Sequence, residues 1–160
     1  MQQCTGSKGI EQCGFIRGTT PTGRHGVRFS EGCSGSADDR VFFTDQPNGI
    51  VGIPDGELLY VADIGVRIVW RYAINRDGTL SQKTNIAPAS SDGMTIDSQG
   101  NVYLTFGKVL IFDKNGSKTG EIELPESPSN LCFGGSDRKT LFITARTSGD
   151  TLKTIVRGVE

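Results

Sequence analysis

Short runs of β-branched, aromatic and aliphatic residues alternate along this chain with clusters of glycine, asparagine and aspartate. Val41-Phe42-Phe43-Thr44, Leu58-Leu59-Tyr60-Val61 and Leu141-Phe142-Ile143-Thr144 are three of the apolar runs. Between such runs stand Asp-Gly, Asn-Gly and Gly-Asn pairs, which tolerate the left-handed backbone of tight turns. No segment keeps an apolar period of 3.6 residues through three turns. An all-β chain of short strands joined by tight turns is what this pattern predicts.

The strands repeat. One unit runs Asn48-Gly49-Ile50, Pro54-Asp55-Gly56, Leu59-Tyr60-Val61-Ala62; the next runs Asp92-Gly93-Met94-Thr95-Ile96-Asp97, then Gly100-Asn101-Val102-Tyr103-Leu104-Thr105. A third runs Asn130-Leu131-Cys132-Phe133, Asp137-Arg138, Leu141-Phe142-Ile143-Thr144. Further strands are expected at 68–72 and 80–85, and again at 109–112 and 121–124. Four antiparallel strands per unit make a propeller blade. The aromatics Tyr60, Tyr103 and Phe142 recur at the ~40–50-residue period of such blades. Phe43 stands less than half that interval before Tyr60, which leaves no room for two outer strands. The reading is therefore a partial β-propeller of about three four-stranded blades plus a leading half blade over residues 27–160, with a deletion near Gln46-Pro47-Asn48-Gly49. Residues 1–26 are unassigned. The plainer alternative places Phe43 and Tyr60 in one ordinary hairpin.

Composition narrows the function. The chain has 160 residues, enough for a core, and a net charge of −1 from 17 basic and 18 acidic residues, which gives no pull toward nucleic acid or anionic membrane. No apolar run reaches the ~18 residues of a membrane helix. The start, Met1-Gln2-Gln3-Cys4, has neither a basic nor an apolar leader region, which favours a cytoplasmic protein over a periplasmic or secreted one. Cys4, Cys13, Cys33 and Cys132 form no Cys-x-x-Cys pair. Free thiols are expected ahead of a Cys4–Cys13 bridge.

The motifs also carry a resemblance. Pro47-Asn48-Gly49-Ile50, Pro54-Asp55-Gly56, Leu59-Tyr60-Val61-Ala62-Asp63, Asp92-Gly93-Met94, Gly100-Asn101-Val102-Tyr103, and Phe133-Gly134-Gly135 before Lys139-Thr140-Leu141 follow one another in order. Over about 100 residues they resemble the C-terminal half of the senescence marker protein/gluconolactonase/luciferin-regenerating-enzyme-like family of six-bladed propellers. Arg28-Phe29-Ser30-Glu31-Gly32-Cys33 through Pro47-Asn48 resembles the family's first blade, with Cys33 where the family usually has proline. Roughly two and a half blades that lie between these matches in the family are missing. A strictosidine-synthase-like or NHL-type propeller fits the Asp92 and Phe133 motifs less well.

The resemblance implies a metal-dependent lactone hydrolase (a carboxylic-ester hydrolase) acting on sugar lactones such as gluconolactone. It makes Glu31, Asn48 and Asp92 the equivalents of the family's metal ligands. Two carboxylates and an amide oxygen suit a hard divalent cation, Ca²⁺ or Zn²⁺ first, Mg²⁺ or Mn²⁺ next. Bound there, the cation would polarise the lactone carbonyl and lower the pKa of its water, and Asp92 would serve as catalytic base. A further asparagine that contacts substrate or metal-bound water in the family falls in the missing segment. Without the resemblance, Asn48-Gly49 and Asp92-Gly93 read as turns and Glu31 as a solvated acid.

Other features read as structure. His25, the only histidine, lies in a glycine-flanked segment outside the repeats and is not expected to be catalytic. Asn75-Arg76-Asp77-Gly78 and Asp113-Lys114-Asn115-Gly116 have glycine too early for a calcium loop and read as hairpin turns. Trp70 and Tyr72 are expected to pack between blades, and Phe133-Gly134-Gly135 to end a strand. An incomplete ring leaves two sheet faces uncovered, which predicts association with a second copy. The competing functional reading is a non-catalytic propeller fragment serving as a binding or assembly module.

Overall fold

The computed structural model describes residues 27–28, 41–42, 47–53 and 56–159. Strands β1 (Val27–Arg28) and β2 (Val41–Phe42) pair antiparallel as a two-stranded ribbon. The first blade is the antiparallel sheet β3 (Pro47–Gly52), β4 (Leu58–Asp63), β5 (Ile68–Ile74) and β6 (Leu80–Ala87), in chain order. The second repeats it with β7 (Met94–Ile96), β8 (Val102–Phe106), β9 (Lys108–Phe112) and β10 (Lys118–Ile122). A third sheet holds β11 (Pro128–Gly134), β12 (Thr140–Ala145) and β13 (Gly149–Lys153). The expected partial propeller is thus present, with three strands rather than four described in its last blade. The outer strand expected at 121–124 lies a few residues earlier, because the Asp113 turn closes quickly and β10 begins at Lys118.

One turn design recurs. In Asn75–Thr79, Asp97–Asn101 and Asp113–Ser117 the first residue's N–H donates to the carbonyl of the last, and its own carbonyl accepts from the glycine fourth in line. Those glycines, Gly78, Gly100 and Gly116, have φ of 81°, 84° and 89°, a conformation that costs a residue with a side chain ~1–2 kcal/mol. The aspartates brace their loops: Asp113 Oδ1 accepts the Asn115 and Ser117 N–H groups, each at 2.8 Å. The two supposed calcium loops are therefore hairpin turns, as the glycine position predicts.

The core sits between blades. Tyr60, Ala62 and Val69 of the first blade meet Met94, Ile96, Val102, Leu104 and Phe112 of the second. Tyr103 and Val109 on the other face of the second blade meet Leu131, Phe133, Leu141 and Ile143 of the third. Each fully buried side chain of this size contributes on the order of 1.5–3 kcal/mol. Second strands such as β4 are covered on both faces and so read as unbroken apolar runs in the sequence. Asp97 is buried to 0% exposure beneath the second blade's first turn, yet fully engaged. It accepts the Gln99 and Asn101 N–H groups, the Asn101 amide and the Tyr103 hydroxyl. Burial, then the Asp97 charge, pushes the Tyr103 phenol far above its ordinary value.

Trp70 and Tyr72, expected to pack between blades, lie where the described residues hold no second blade. They pair with Val61 and Leu59 on the face of the first blade turned away from the second. Arg71, one residue out of phase, faces the second blade and donates to the Lys114 carbonyl. Lys83 caps the Trp70 ring, its ammonium 4.0 Å from the centroid. On the far side of the third blade, Phe142 is flanked along β12 by Thr140 and Thr144. On the first blade's face Leu59 and Val61 are fully buried, while Phe142 on the third blade is 42% exposed.

Beyond β13 the chain crosses under the hairpin turns. The Arg157 carbonyl accepts from the Ser98 N–H at 2.7 Å, Gly158 N–H donates to Arg138 O, and Val159 N–H donates to Ile96 O. This strap lies so tightly on Phe133 that a Cβ at Gly158 would sit 2.2 Å from the Phe133 Cβ.

Candidate metal and active site

The first strands of consecutive blades run side by side, and each carries a polar residue near the same end. Asn48 is the second residue of β3 and Asp92 stands two residues before β7; both side chains are exposed. The structure brings them together: Asn48 Nδ2 donates to Asp92 Oδ1 at 2.5 Å across 44 residues of sequence. Asn48-Gly49, a turn dipeptide by sequence alone, lies inside β3, and Asp92 sits at a bend.

Two glycines make this approach feasible. Gly49 donates its N–H to the Ser91 carbonyl at 2.9 Å, and a Cβ there would meet that same oxygen at 2.9 Å and Met94 Cγ at 2.8 Å. Gly93 is pressed against the next blade, where a Cβ would lie 2.3 Å from Asn130 Oδ1 and 2.5 Å from Asn130 Cα. Any side chain at either position would push neighbouring first strands apart.

Glu31 lies outside the described residues, as do His25, Cys4, Cys13 and Cys33. Among the described residues no three His, Cys, Asp or Glu side chains gather as a metal cluster. The donor chemistry of the pair nevertheless fits a hard cation. A carboxylate and an amide already converge, and the amide turned over about its Cβ–Cγ bond offers Oδ1 where Nδ2 now stands.

Sequence reasoning passed over Asn130, Ser91 and Thr105. Asn130 opens the third repeat as Asn48 and Asp92 open the first two, so the repeat alignment itself held that signal. Ser91 and Thr105 look like ordinary turn and strand residues, and nothing in their spacing marks them.

A profile of the SMP-30/Gluconolactonase/LRE-like region matches residues 25–147. The chain belongs to that family. The pentonolactonase XacC of Haloferax volcanii is 32% identical over 108 residues, a match that takes in 61% of this chain and 37% of that protein. The gluconolactonase structure from Xanthomonas campestris is 30% identical, with a TM-score of 0.65 over 72% of this chain and 40% of that one. The calcium-binding protein regucalcin of Agrobacterium tumefaciens, at 22% identity and a TM-score of 0.59, shares the fold over 71% of this chain and 47% of its own. The chain of this SMP-30/gluconolactonase-family member thus spans about two fifths of the length of the relatives it matches.

Proposed function

We propose that this chain derives from a sugar-lactone hydrolase that has lost blades between its Glu31 and Asn48 segments, and that Asn48 and Asp92, with Glu31, hold a divalent cation. The observation that carries this is the side-by-side placement of Asn48 and Asp92 by two different blades. When bound, the cation would polarise the lactone carbonyl and acidify a water molecule. With Asp92 Oδ1 turned to the cation in place of the Asn48 amide, Oδ2 would be the proton acceptor from attacking water. That water's oxygen bonds to the carbonyl carbon, the ring C–O bond breaks, and the proton passes to the leaving oxygen to give the hydroxy acid. Support for the substrate class comes from the lactonase names of relatives at about 30% identity.

A second reading, an assembly module without catalysis, is favoured by chain length, since about two fifths of its relatives' length leaves blades of their ring unfilled. Its partner would be a second copy of the chain, seen as a dimer or larger in sedimentation. Calorimetric titration of Ca²⁺ and Zn²⁺ into the protein and its Asp92→Ala variant separates the two. Stoichiometric binding lost in the variant supports the hydrolase reading and justifies a gluconolactone assay. Absence of binding sinks that reading and leaves the module.

A further inference from the structure

The backbone on either side of Asp92 is tied down by two buried hydroxyls. Thr105 Oγ1 accepts the Gly93 N–H at 2.9 Å, and Ser91 Oγ accepts the Thr105 N–H at 2.9 Å. Ser91 Oγ in turn donates to the Gly93 carbonyl at 2.7 Å, and the two hydroxyl oxygens lie 3.5 Å apart. Thr105 Oγ1 also reaches the Ser129 carbonyl of β11 at 3.4 Å, while the Ser91 carbonyl takes the Gly49 N–H of β3. Both side chains are almost wholly buried, at 1% and 4% exposure.

Strand pairing alone does not require this arrangement. β7 begins only at Met94, and regular pairing with β8 ends at Met94 and Leu104. One backbone bond, Thr105 N–H to Gly93 O at 3.2 Å, continues past that point; the hydroxyls reinforce it and fix residues 91 and 93, so that Asp92 between them has little freedom to translate. A site of this kind works only when its groups are held to within ~0.5 Å.

We propose that Ser91 and Thr105 are positioning residues that hold Asp92 in register with Asn48, a role that rests on the reading of that pair as cation ligands. The clamp links three blades through one bonded chain, from Gly49 through Ser91 and Thr105 to Ser129. Thr105→Val keeps the shape and removes the hydroxyl; Thr105→Ser keeps the hydroxyl; Ser91→Ala breaks the clamp at its other post.

The test uses the full chain and two readouts. Calorimetry with Ca²⁺ should show affinity falling roughly 10–100-fold in Thr105→Val and Ser91→Ala, the usual loss for a group that orients a ligand, and restored within a fewfold in Thr105→Ser. In metal-free protein, the Asn48 side-chain amide should give a shifted, resolved pair of nitrogen–proton signals in wild type and Thr105→Ser. That shift should be lost in the other two variants. A folded Thr105→Val or Ser91→Ala that keeps the wild-type Asn48 signals overturns the proposal. If the wild type itself takes up no Ca²⁺, the cation reading fails, and the amide signals alone still decide whether the clamp exists.

Discussion

Replacing Gly93 with alanine would drive a methyl group into the backbone of the neighbouring blade. The new carbon would lie 2.5 Å from Asn130 Cα, about 1 Å short of the ~3.5–4.0 Å at which carbon atoms rest in contact. A side chain can swing aside, but a Cα moves only with its strand, so β7 and β11 must separate at the end that carries Asp92. Overpacking of this kind costs ~1–3 kcal/mol, and a backbone obstacle puts Gly93→Ala at the upper end. Reduced freedom of the unfolded chain returns ~0.4–1 kcal/mol. The net loss is about 2 kcal/mol, or a fall in Tm of roughly 4–8 °C for a chain of this size. Gly120→Ala is the control, because its Cβ would meet nothing closer than Ile111 Cδ1 at 3.5 Å; it should be neutral or slightly stabilising. Urea titrations of the three proteins, with slopes compared, supply the measurement. A Gly93→Ala protein as stable as Gly120→Ala would show that the blades are not packed at this distance.

Acid should weaken the second blade's outer edge. Hydrogen bonds from Lys118 and Lys108 hold the Glu121 carboxyl down at about 2, against an ordinary 4.5. Its contribution is therefore present above the ordinary value and lost as pH falls toward 2. The pair is exposed and screened by salt, so the urea midpoint should fall less steeply with acid in Glu121→Gln, and in molar salt, than in wild type at low salt. At the alkaline end, burial raises the Tyr60 and Tyr103 phenols. The folded chain keeps protons that the unfolded chain releases, and stability should decline once pH passes ~10. Tyr103→Phe should lessen that decline while costing ~1.5–3 kcal/mol at neutral pH for the bond to the Asp97 carboxylate, as read from urea titrations at both pH values.

The sheet content, the turns and the family were legible because each is a local pattern. Asp113-Lys114-Asn115-Gly116 announces its turn by the glycine that alone takes φ of 89° cheaply. Asn48 and Asp92 came from motif resemblance, and the structure adds that they touch. Three things were hidden. The side of the sheet that Trp70 faces depends on which neighbour each face meets, and alternation cannot say that. Thr105 acts through bonds to residues a hairpin away, where a threonine in a strand looks like any other. Asn48-Gly49 carries a turn signal, yet tertiary packing against Ser91 holds it extended. Local preference yields wherever a neighbouring blade supplies a partner.

The strap beneath the third blade has a consequence in strand parity. An even-stranded antiparallel sheet returns the chain to the end where it entered, so β3, β7 and β11 all start beside Asn48 and Asp92. The last blade's three strands reverse this, and residue 154 emerges beside Lys139, at the opposite end. Anything attached after residue 159, whether an affinity tag, a linker to a solid support or another folded unit, therefore departs away from the Asn48–Asp92 mouth. Immobilisation through that terminus would present the mouth to solution.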